Sequence, residues 1–286
     1  MKNEKIFYQG SKGSYSESVL LELFPDYELV SCKTFQEVSK NTTQEGFGLL
    51  PVENSLVGTV IEAYESLIEH NLEIYLEIKK KINHALIGIK GTKKENIKKV
   101  ISHPQALQQC SKYLNDLDVE LQPVFDTAGS VISLLGTKSI EIGAIAGDHF
   151  ANDERFTIIE KNISNHEENY TRFFLTGKKP LEISEEKNIR SAILVAADEP
   201  GSLLKALTVF DVLKLNLIKL ESRPILGSPW EYKFYVDYQN TDKKIDRLLM
   251  DNLSQVAKEF KIWVNTDQLI FKLPARRILI ILNFYI

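Results

Sequence analysis

Apolar runs separated by short polar loops recur through the first two thirds of the chain, and their spacing alternates between that of a strand and that of a helix. Lys5 to Gln9 reads as a buried strand. The polar loop GSKGSYSE follows, and Val19-Leu20-Leu21-Leu23-Phe24 then repeats at helical spacing and stops near Pro25. Ser14 and Glu17 stand in capping-box register just before it. The unit then recurs. Gly46 to Val52 reads as strand, ENSLVGT as loop and VIEAYESLIEH as helix, with Thr59 and Glu62 again in capping-box register. HALIGI reads as strand, PQALQQCSKYL as helix and EIGAIAG as strand. The pattern predicts α/β architecture with polar loops delivered at strand ends.

The last strand of this region is ENYTRFFLTG, Glu168 to Gly177, whose apolar second half follows a polar mouth of Asn169, Thr171 and Arg172. As a strand it puts Thr171, Phe173 and Leu175 on one face, and Arg172 and Phe174 on the other. EISEEKNIR, Glu182 to Arg190, is charged and poor in apolar residues, which reads as a linker with a boundary near Ser184 to Ile189. Beyond it the order changes to strand (SAILVAA), turn and helix (DEPGSLLKALTVFDVL), two strands (LIKLES, WEYKFYVDY), helix (KKIDRLLMDNLSQVAKEF) and strand (KIWVNT). That βαββαβ order predicts a ferredoxin-like unit.

A chain of 286 residues, 43% hydrophobic and 26% charged, is long enough for two or three domains with real cores. The net charge of -4 argues against a general nucleic-acid or membrane-surface binder, yet leaves room for a local anion pocket. Lys79-Lys80-Lys81 and Lys93-Lys94 lack interleaved aromatics and read as solvated faces. Two distant cysteines, Cys32 and Cys110, suggest neither a disulfide framework nor a zinc site, and fit a reducing cytoplasm. The histidines form no HxxxH pair, so no metal is expected. No signal peptide is read at the N-terminus. The apolar run in PARRILIILNFYI is too short to span a bilayer and reads as a terminal strand or interface segment.

Three polar clusters sit at predicted strand ends. GSKGSYS combines glycines, hydroxyls and a helix start, which suits a carboxylate or phosphate, although a plain turn with a cap is the favoured reading from these residues alone. PVENS, Pro51 to Ser55, sets a carboxylate, an amide and a hydroxyl in succession where crevices of open α/β sheets lie. An ordinary helix start capped by Asn54 or Ser55 explains it as well. In NYTRF, Arg172 has the planar fork that grips a carboxylate. Together the clusters suggest a small-molecule crevice without naming its substrate.

These stretches, with SHPQALQQC (Ser102 to Cys110), GAIAG, DEPGSLLKAL and NLIKLESRP, occur in an order that resembles the prephenate dehydratase family with a C-terminal ACT regulatory domain. The likeness runs to about Thr266. It implies an α/β fold, with a two-lobed catalytic domain like that of periplasmic binding proteins over residues 1–183 and a ferredoxin-like ACT domain over 190–268. The apolar tail, 274–286, has no counterpart. It further implies conversion of prephenate to phenylpyruvate with loss of water and carbon dioxide, in L-phenylalanine biosynthesis, without cofactor or metal. Thr171 carries the key catalytic role in this resemblance, as a hydrogen-bond donor to the departing oxygen. Ser14, Tyr15, Asn54, Ser55, Arg172 and Phe173 are the substrate-binding residues, and Glu53 is either a proton source or a structural carboxylate.

The same resemblance implies L-phenylalanine as an allosteric effector between paired ACT domains, held by Gly201, Ser202, Leu203 and Leu204 and by Glu221, Ser222, Arg223 and Pro224. It implies a cytoplasmic homodimer or homotetramer with no nucleic-acid or membrane partner. Ser202 stands where the family usually has alanine, Ile218 where it has serine or threonine, and Phe174 where an aliphatic residue is common. Arogenate dehydration and a non-catalytic amino-acid sensor are the two alternatives. A fused chorismate mutase is not expected, since the first strand begins almost at Met1.

Overall fold

The computed structural model describes residues 4–178, 189–225 and 227–262, with backbone alone for Pro229 and Trp230. The proposed linker up to Asn188 and the apolar tail lie outside the described residues. The chain divides into two compact units. Among described residues the first holds 4–72 and 76–178, and the second holds 73–75 together with the residues after 188.

In the first unit, β1 (Lys5–Gln9), α1 (Tyr15–Leu23), β2 (Glu28–Cys32), α2 (Phe35–Gln44), β3 (Phe47–Asn54), β4 (Gly58–Thr59), α3 (Ile61–Glu69) and β5 (Glu73–Lys81, of which 76–81 belong to this unit) come first. Next are β6 (His84–Ile89), β7 (Lys99–Ser102), α4 (Pro104–Gln109), α5 (Ser111–Asn115), β8 (Glu120–Pro123), α6 (Thr127–Thr137), β9 (Ile142–Gly147) and β10 (Phe156–Glu160), and finally β11 (Tyr170–Gly177). One sheet has the order β2-β1-β3-β11-β5, with β4 paired to β3, and the other has the order β10-β6-β9-β7-β8. The chain therefore crosses from the first sheet to the second between Lys81 and His84, and returns between Glu160 and Tyr170.

Both faces of the second sheet are covered, as the near-continuous apolar runs of β6 and β9 require. Ala85, Ile87, Ala144 and Ala146 pack with Val131 and Leu134 of α6. Leu86 and Ile145, pointing the other way, pack with Ala106, Leu107 and Leu114 of α4 and α5. In the first sheet β1, β2 and β3 are parallel, and β11 runs antiparallel to β3. The start of β11 therefore lies at the carboxyl ends of β1 and β3, the position where open α/β sheets place their crevices.

The second unit comprises β12 (Ile189–Ala196), α7 (Ser202–Val212), β13 (Leu217–Ile225), β14 (Ser228–Gln239), α8 (Lys243–Leu253) and β15 (Ala257–Ile262). Its sheet order, β13-β14-β12-β15, is antiparallel at each of its three pairings. This is the split βαβ arrangement expected from the element order. Ala192, Leu194, Val236 and Tyr238 bury one face against Ala206 and Phe210 of α7 and Leu249 and Leu253 of α8. Arg190 on β12 and Tyr238 on β14 both reach Asp246 on α8, at 3.0 Å each, which ties the helix to the sheet.

Some local expectations need correction. Thr59 does not cap a helix: it pairs with Glu53 in β4, and the N-cap of α3 is Val60, with no side-chain bond. The helix expected over 243–260 stops at Leu253, because Ala257–Ile262 is drawn into the sheet as β15 beside β12. The helix expected from PQALQQCSKYL is two short helices meeting at Cys110.

Candidate active site

The polar clusters PVENS and NYTRF, more than a hundred positions apart in the chain, are joined by the β3–β11 ladder. Thr171 lies opposite Asn54, and Arg172 opposite Glu53. A bulge between Arg172 and Phe173 shifts the register just inside this mouth.

Asn54 organises the site. Its Oδ1 accepts the backbone N–H groups of Leu56 (3.1 Å) and Val57 (3.2 Å), an Asx-type turn that fixes which side of the amide is oxygen. Its Nδ2 consequently faces β11. There its two hydrogens are shared among Asn169 Oδ1 (2.8 Å), Thr171 Oγ1 (3.1 Å) and the Tyr170 carbonyl (3.2 Å). The Thr171 oxygen is thereby an acceptor, and its O–H has no acceptor among the described residues. Ser55 holds the strand start in place. Its N–H donates to the Tyr170 carbonyl, its Oγ accepts from Tyr170 N, and its hydroxyl donates to the Glu168 carbonyl.

The hydrogen bonds continue into the second lobe. Asn169 is fully buried, and its Nδ2 donates to Gln109 Oε1 at 3.3 Å. That oxygen also lies 2.8 Å from His84 Nε2, and His84 Nδ1 is 3.4 Å from the Tyr15 hydroxyl. Tyr15 donates to the Asn83 carbonyl at 2.9 Å, in the first crossing between lobes. Burial holds the His84 pKa below its ordinary value, with only the Gln109 hydrogen bond opposing. Burial also pushes the Tyr15 phenol well up, so it stays protonated.

The motif SHPQALQQC delivers Gln109 to this network through ordinary structural chemistry. Ser102 donates to the Ile145 carbonyl and joins β7 to β9. His103 caps α4 by accepting from Gln105 N, and Pro104 occupies its first turn. Cys110 is buried in the core beneath. Gln109 and His84 were not among the residues singled out from sequence, and Asn169 stood out only as part of the polar mouth beside Thr171 and Arg172, with no role assigned to it. Their partners lie 25 or more positions away, which leaves no local signal.

Ser14 is the N-cap of α1 and accepts from Glu17 N, while the Glu17 carboxylate takes the Gly13 N–H and the Tyr8 hydroxyl. The GSKGSYS loop spans the two lobes: Ser11 donates to Asp126, and the Gly13 carbonyl lies 2.7 Å from His149 Nε2. Gly13 has φ +82°, and a Cβ there would meet the Phe150 ring at 2.2 Å, so only glycine fits. A cavity of about 1060 Å³ flanks the loop, lined among others by Tyr15, Asn83, His149 and Tyr170; Asn54 and Thr171 are not part of its lining.

Arg172 departs from the expectation of an open carboxylate grip. It is 9% exposed, with Nη1 3.1 Å from Glu53 and Nη2 3.0 Å from Glu77, and its guanidinium lies 5.0 Å over the Phe174 ring. The cause is the register itself, which sets Arg172 directly beside Glu53 across the ladder. Glu53 is thus held as an ion-pair partner. Phe173 is 1% exposed and lies in the core, because the alternation that aims Thr171 away from the Arg172 face continues into a fully packed strand.

In the second unit, Gly201 takes φ +79° before α7, and Ser202 donates to the Ala197 carbonyl at 2.6 Å. Leu203 packs toward the core and Leu204 is exposed. Glu221, Ser222, Arg223 and Pro224 lie along β13, where Glu221 pairs with Arg223 and Lys219. GSLL and ESRP share one end of the sheet but are separated by β14.

Among the described residues no three His, Cys, Asp or Glu side chains gather as a metal site, and no helix is long and apolar enough to cross a membrane.

Residues 6–181 match the family profile described as Prephenate dehydratase. The chain is 35% identical over 252 residues to arogenate dehydratase/prephenate dehydratase 1, chloroplastic, of Arabidopsis thaliana, covering 82% of this chain and 64% of that protein. It therefore spans less than two thirds of this plant relative's length. It is 33% identical over 254 residues to the prephenate dehydratase of Methanocaldococcus jannaschii, covering 86% and 92% of the two chains. Two solved structures share the fold. One is described as GqqA, a novel type of quorum quenching acylase, with TM-score 0.81, 26% identity and coverage of 91% and 96%. The other is prephenate dehydratase from Arthrobacter aurescens in complex with L-Phe, with TM-score 0.80, 20% identity and coverage of 94% and 93%.

Proposed function

The chain belongs to the prephenate dehydratase family of lyases, and from that premise we propose that it converts prephenate to phenylpyruvate, carbon dioxide and water. In this reaction the bond from the ring to its carboxylate breaks, and its electron pair enters the ring. The ring C–O bond breaks as aromaticity forms, and one proton turns the departing hydroxide into water. Aromatisation supplies the driving force, so the site has to position the substrate and assist the departing oxygen.

The observation that carries the reading is the Asn54–Thr171 pair. Asn54 Nδ2 occupies a lone pair of Thr171 Oγ1, which leaves the threonine hydrogen to be donated. Donation to an oxygen that gains charge as it leaves is stronger in the transition state than in the ground state, the condition for a rate gain. A threonine hydroxyl alone is too weak an acid to transfer its proton at neutral pH, so Thr171 acts as a hydrogen-bond donor within the network rather than as a free acid. With Arg172 held by Glu53 and Glu77, we assign it to holding β3, β5 and β11 in register rather than to gripping a carboxylate. Ser14, Tyr15, Ser55 and Phe173 act as the frame that places Thr171 and Asn54.

Arogenate is the second reading, favoured by the plant relative, whose name carries both activities. It has an amino group where prephenate has a keto group. Offering both substrates side by side decides between them: formation of phenylpyruvate from prephenate supports the first reading, and phenylalanine from arogenate alone supports the second.

We further assign the ferredoxin-like unit as an ACT domain through which L-phenylalanine inhibits the enzyme. The βαββαβ topology supports this, together with the L-Phe complex described for the Arthrobacter protein. GSLL and ESRP stand apart within one chain, which is consistent with a ligand site completed by a second copy in a dimer or tetramer. The assignment fails if phenylalanine changes neither activity nor melting temperature.

A further inference from the structure

The hydrogen-bond network can be read for polarity, beginning at groups whose roles are fixed. The backbone N–H groups of Leu56 and Val57 can only donate, so the atom of Asn54 they meet is oxygen. Asn54 therefore turns Nδ2 toward Asn169, which must present Oδ1. Asn169 then turns Nδ2 toward Gln109, which must present Oε1. The same Oε1 lies 2.8 Å from His84 Nε2. An accepting oxygen at that distance needs a hydrogen on the ring nitrogen, so neutral His84 is the Nε2–H tautomer. Its Nδ1 faces the Tyr15 hydroxyl, which already donates to the Asn83 carbonyl.

One amide is left with its donors unused. Both lone pairs of Gln109 Oε1 are engaged, by His84 and by Asn169, while Gln109 Nε2 has no acceptor among the described residues. We propose that His84 is a positioning residue for the reaction: by donating from Nε2 to Gln109 Oε1, it holds the Gln109 amide so that both Nε2 hydrogens are left for the anionic groups of the substrate. The His84 bond is the shorter of the two that set this orientation. Without it only the 3.3 Å contact from Asn169 opposes a flip of the amide. Protonation of the ring at Nδ1 leaves Nε2–H in place, so the device works in either charge state.

The substrate part of this inference rests on the dehydratase reading, whereas the tautomer does not. Two measurements keep them apart. In the wild-type protein, imidazole ¹⁵N resonances at neutral pH should identify His84 as the Nε2–H tautomer; an Nδ1–H tautomer overturns the inference whether or not prephenate is turned over. For kinetics, His84→Gln, His84→Leu and His84→Glu are compared on prephenate, each with its melting temperature. Glutamine places a donor near the lost Nε2–H and should stay close to wild-type. Leucine removes the donor and should lower kcat/KM about tenfold, the worth of one ordinary hydrogen bond. Glutamate attracts Gln109 Nε2, reverses the amide and should be the slowest. If His84 merely filled space, leucine would be tolerated best and glutamine would be no better than glutamate. That order, in folded variants of an enzyme that does turn over prephenate, overturns the inference.

Discussion

Asn54 and Thr171 face each other across two antiparallel strands, with Asn54 Nδ2 3.1 Å from Thr171 Oγ1 and Asn54 Oδ1 held by two backbone N–H groups. The geometry makes the amide a donor and the hydroxyl an acceptor at this contact. Thr171 keeps its hydrogen for another partner.

Asn54→Asp tests that polarity. A carboxylate at this position still accepts from Leu56 and Val57, and its second oxygen then meets Thr171 as an acceptor. The threonine hydrogen is recaptured by the protein. Turnover of prephenate should fall about 10²- to 10³-fold, the scale of losing one aligned donor at a developing oxyanion, while the circular dichroism spectrum stays unchanged. Retention of more than about a third of wild-type kcat would be inconsistent with the assigned polarity.

Arg172 is predicted to matter for stability. Its side chain is 10% exposed and bridges Glu77, 12% exposed, and Glu53, 32% exposed. Arg172→Ala leaves two carboxylates facing each other without their cation, and should cost about 2–4 kcal/mol in urea unfolding, reduced at the Glu53 side by solvent. Arg172→Lys keeps the charge but cannot fork to both acids, and should fall between wild-type and alanine. If instead Arg172→Ala raised KM for prephenate strongly at unchanged stability, the substrate-gripping role expected from sequence would stand.

Acid should loosen the first unit. His84 and His149 both have pKa values held below 6.5 by burial. In the unfolded chain each takes up its proton near pH 6.5, before the folded form does, so the unfolded state binds more protons below that value. Their contribution to stability is full above pH 6.5 and is lost as pH falls through the folded values. Melting temperature, followed from pH 8 to pH 5.5, should decline across the lower part of this range, and less steeply in His84→Gln. A flat profile would contradict the burial of neutral imidazoles.

Legibility in the sequence followed the kind of interaction involved. Strands such as IFYQ, HALIGI and GAIAG are buried on both faces and show as continuous apolar runs. The helix FQEVSKNTTQ buries only Val38, Ser39 and Thr42, and its polar surface hides it. The strand EIYLEIKKK is similarly masked by its charged second half. At the site, PVENS and NYTRF each show as a polar strand end, but their pairing depends on the antiparallel arrangement of β3 and β11, which no local pattern encodes. Arg172 illustrates the limit. The residue type suggested a carboxylate, and the structure supplies carboxylates from the chain itself, Glu53 and Glu77. Gln109 and Asn169 are ordinary amides whose roles come from partners far along the chain.

In the proposed reaction the free hydrogen of Thr171 assists the departing hydroxyl of prephenate. The most direct measurement is the rate of phenylpyruvate formation by wild-type, Thr171→Ser and Thr171→Val proteins at saturating prephenate, with melting temperatures to establish folding. Valine keeps the shape and removes the donor, and kcat should fall about 10²- to 10⁴-fold with little change in stability; serine, which keeps the hydroxyl, should retain a substantial part of the activity. Near-normal turnover by a folded Thr171→Val protein would show that the departing oxygen does not depend on the Thr171 hydroxyl.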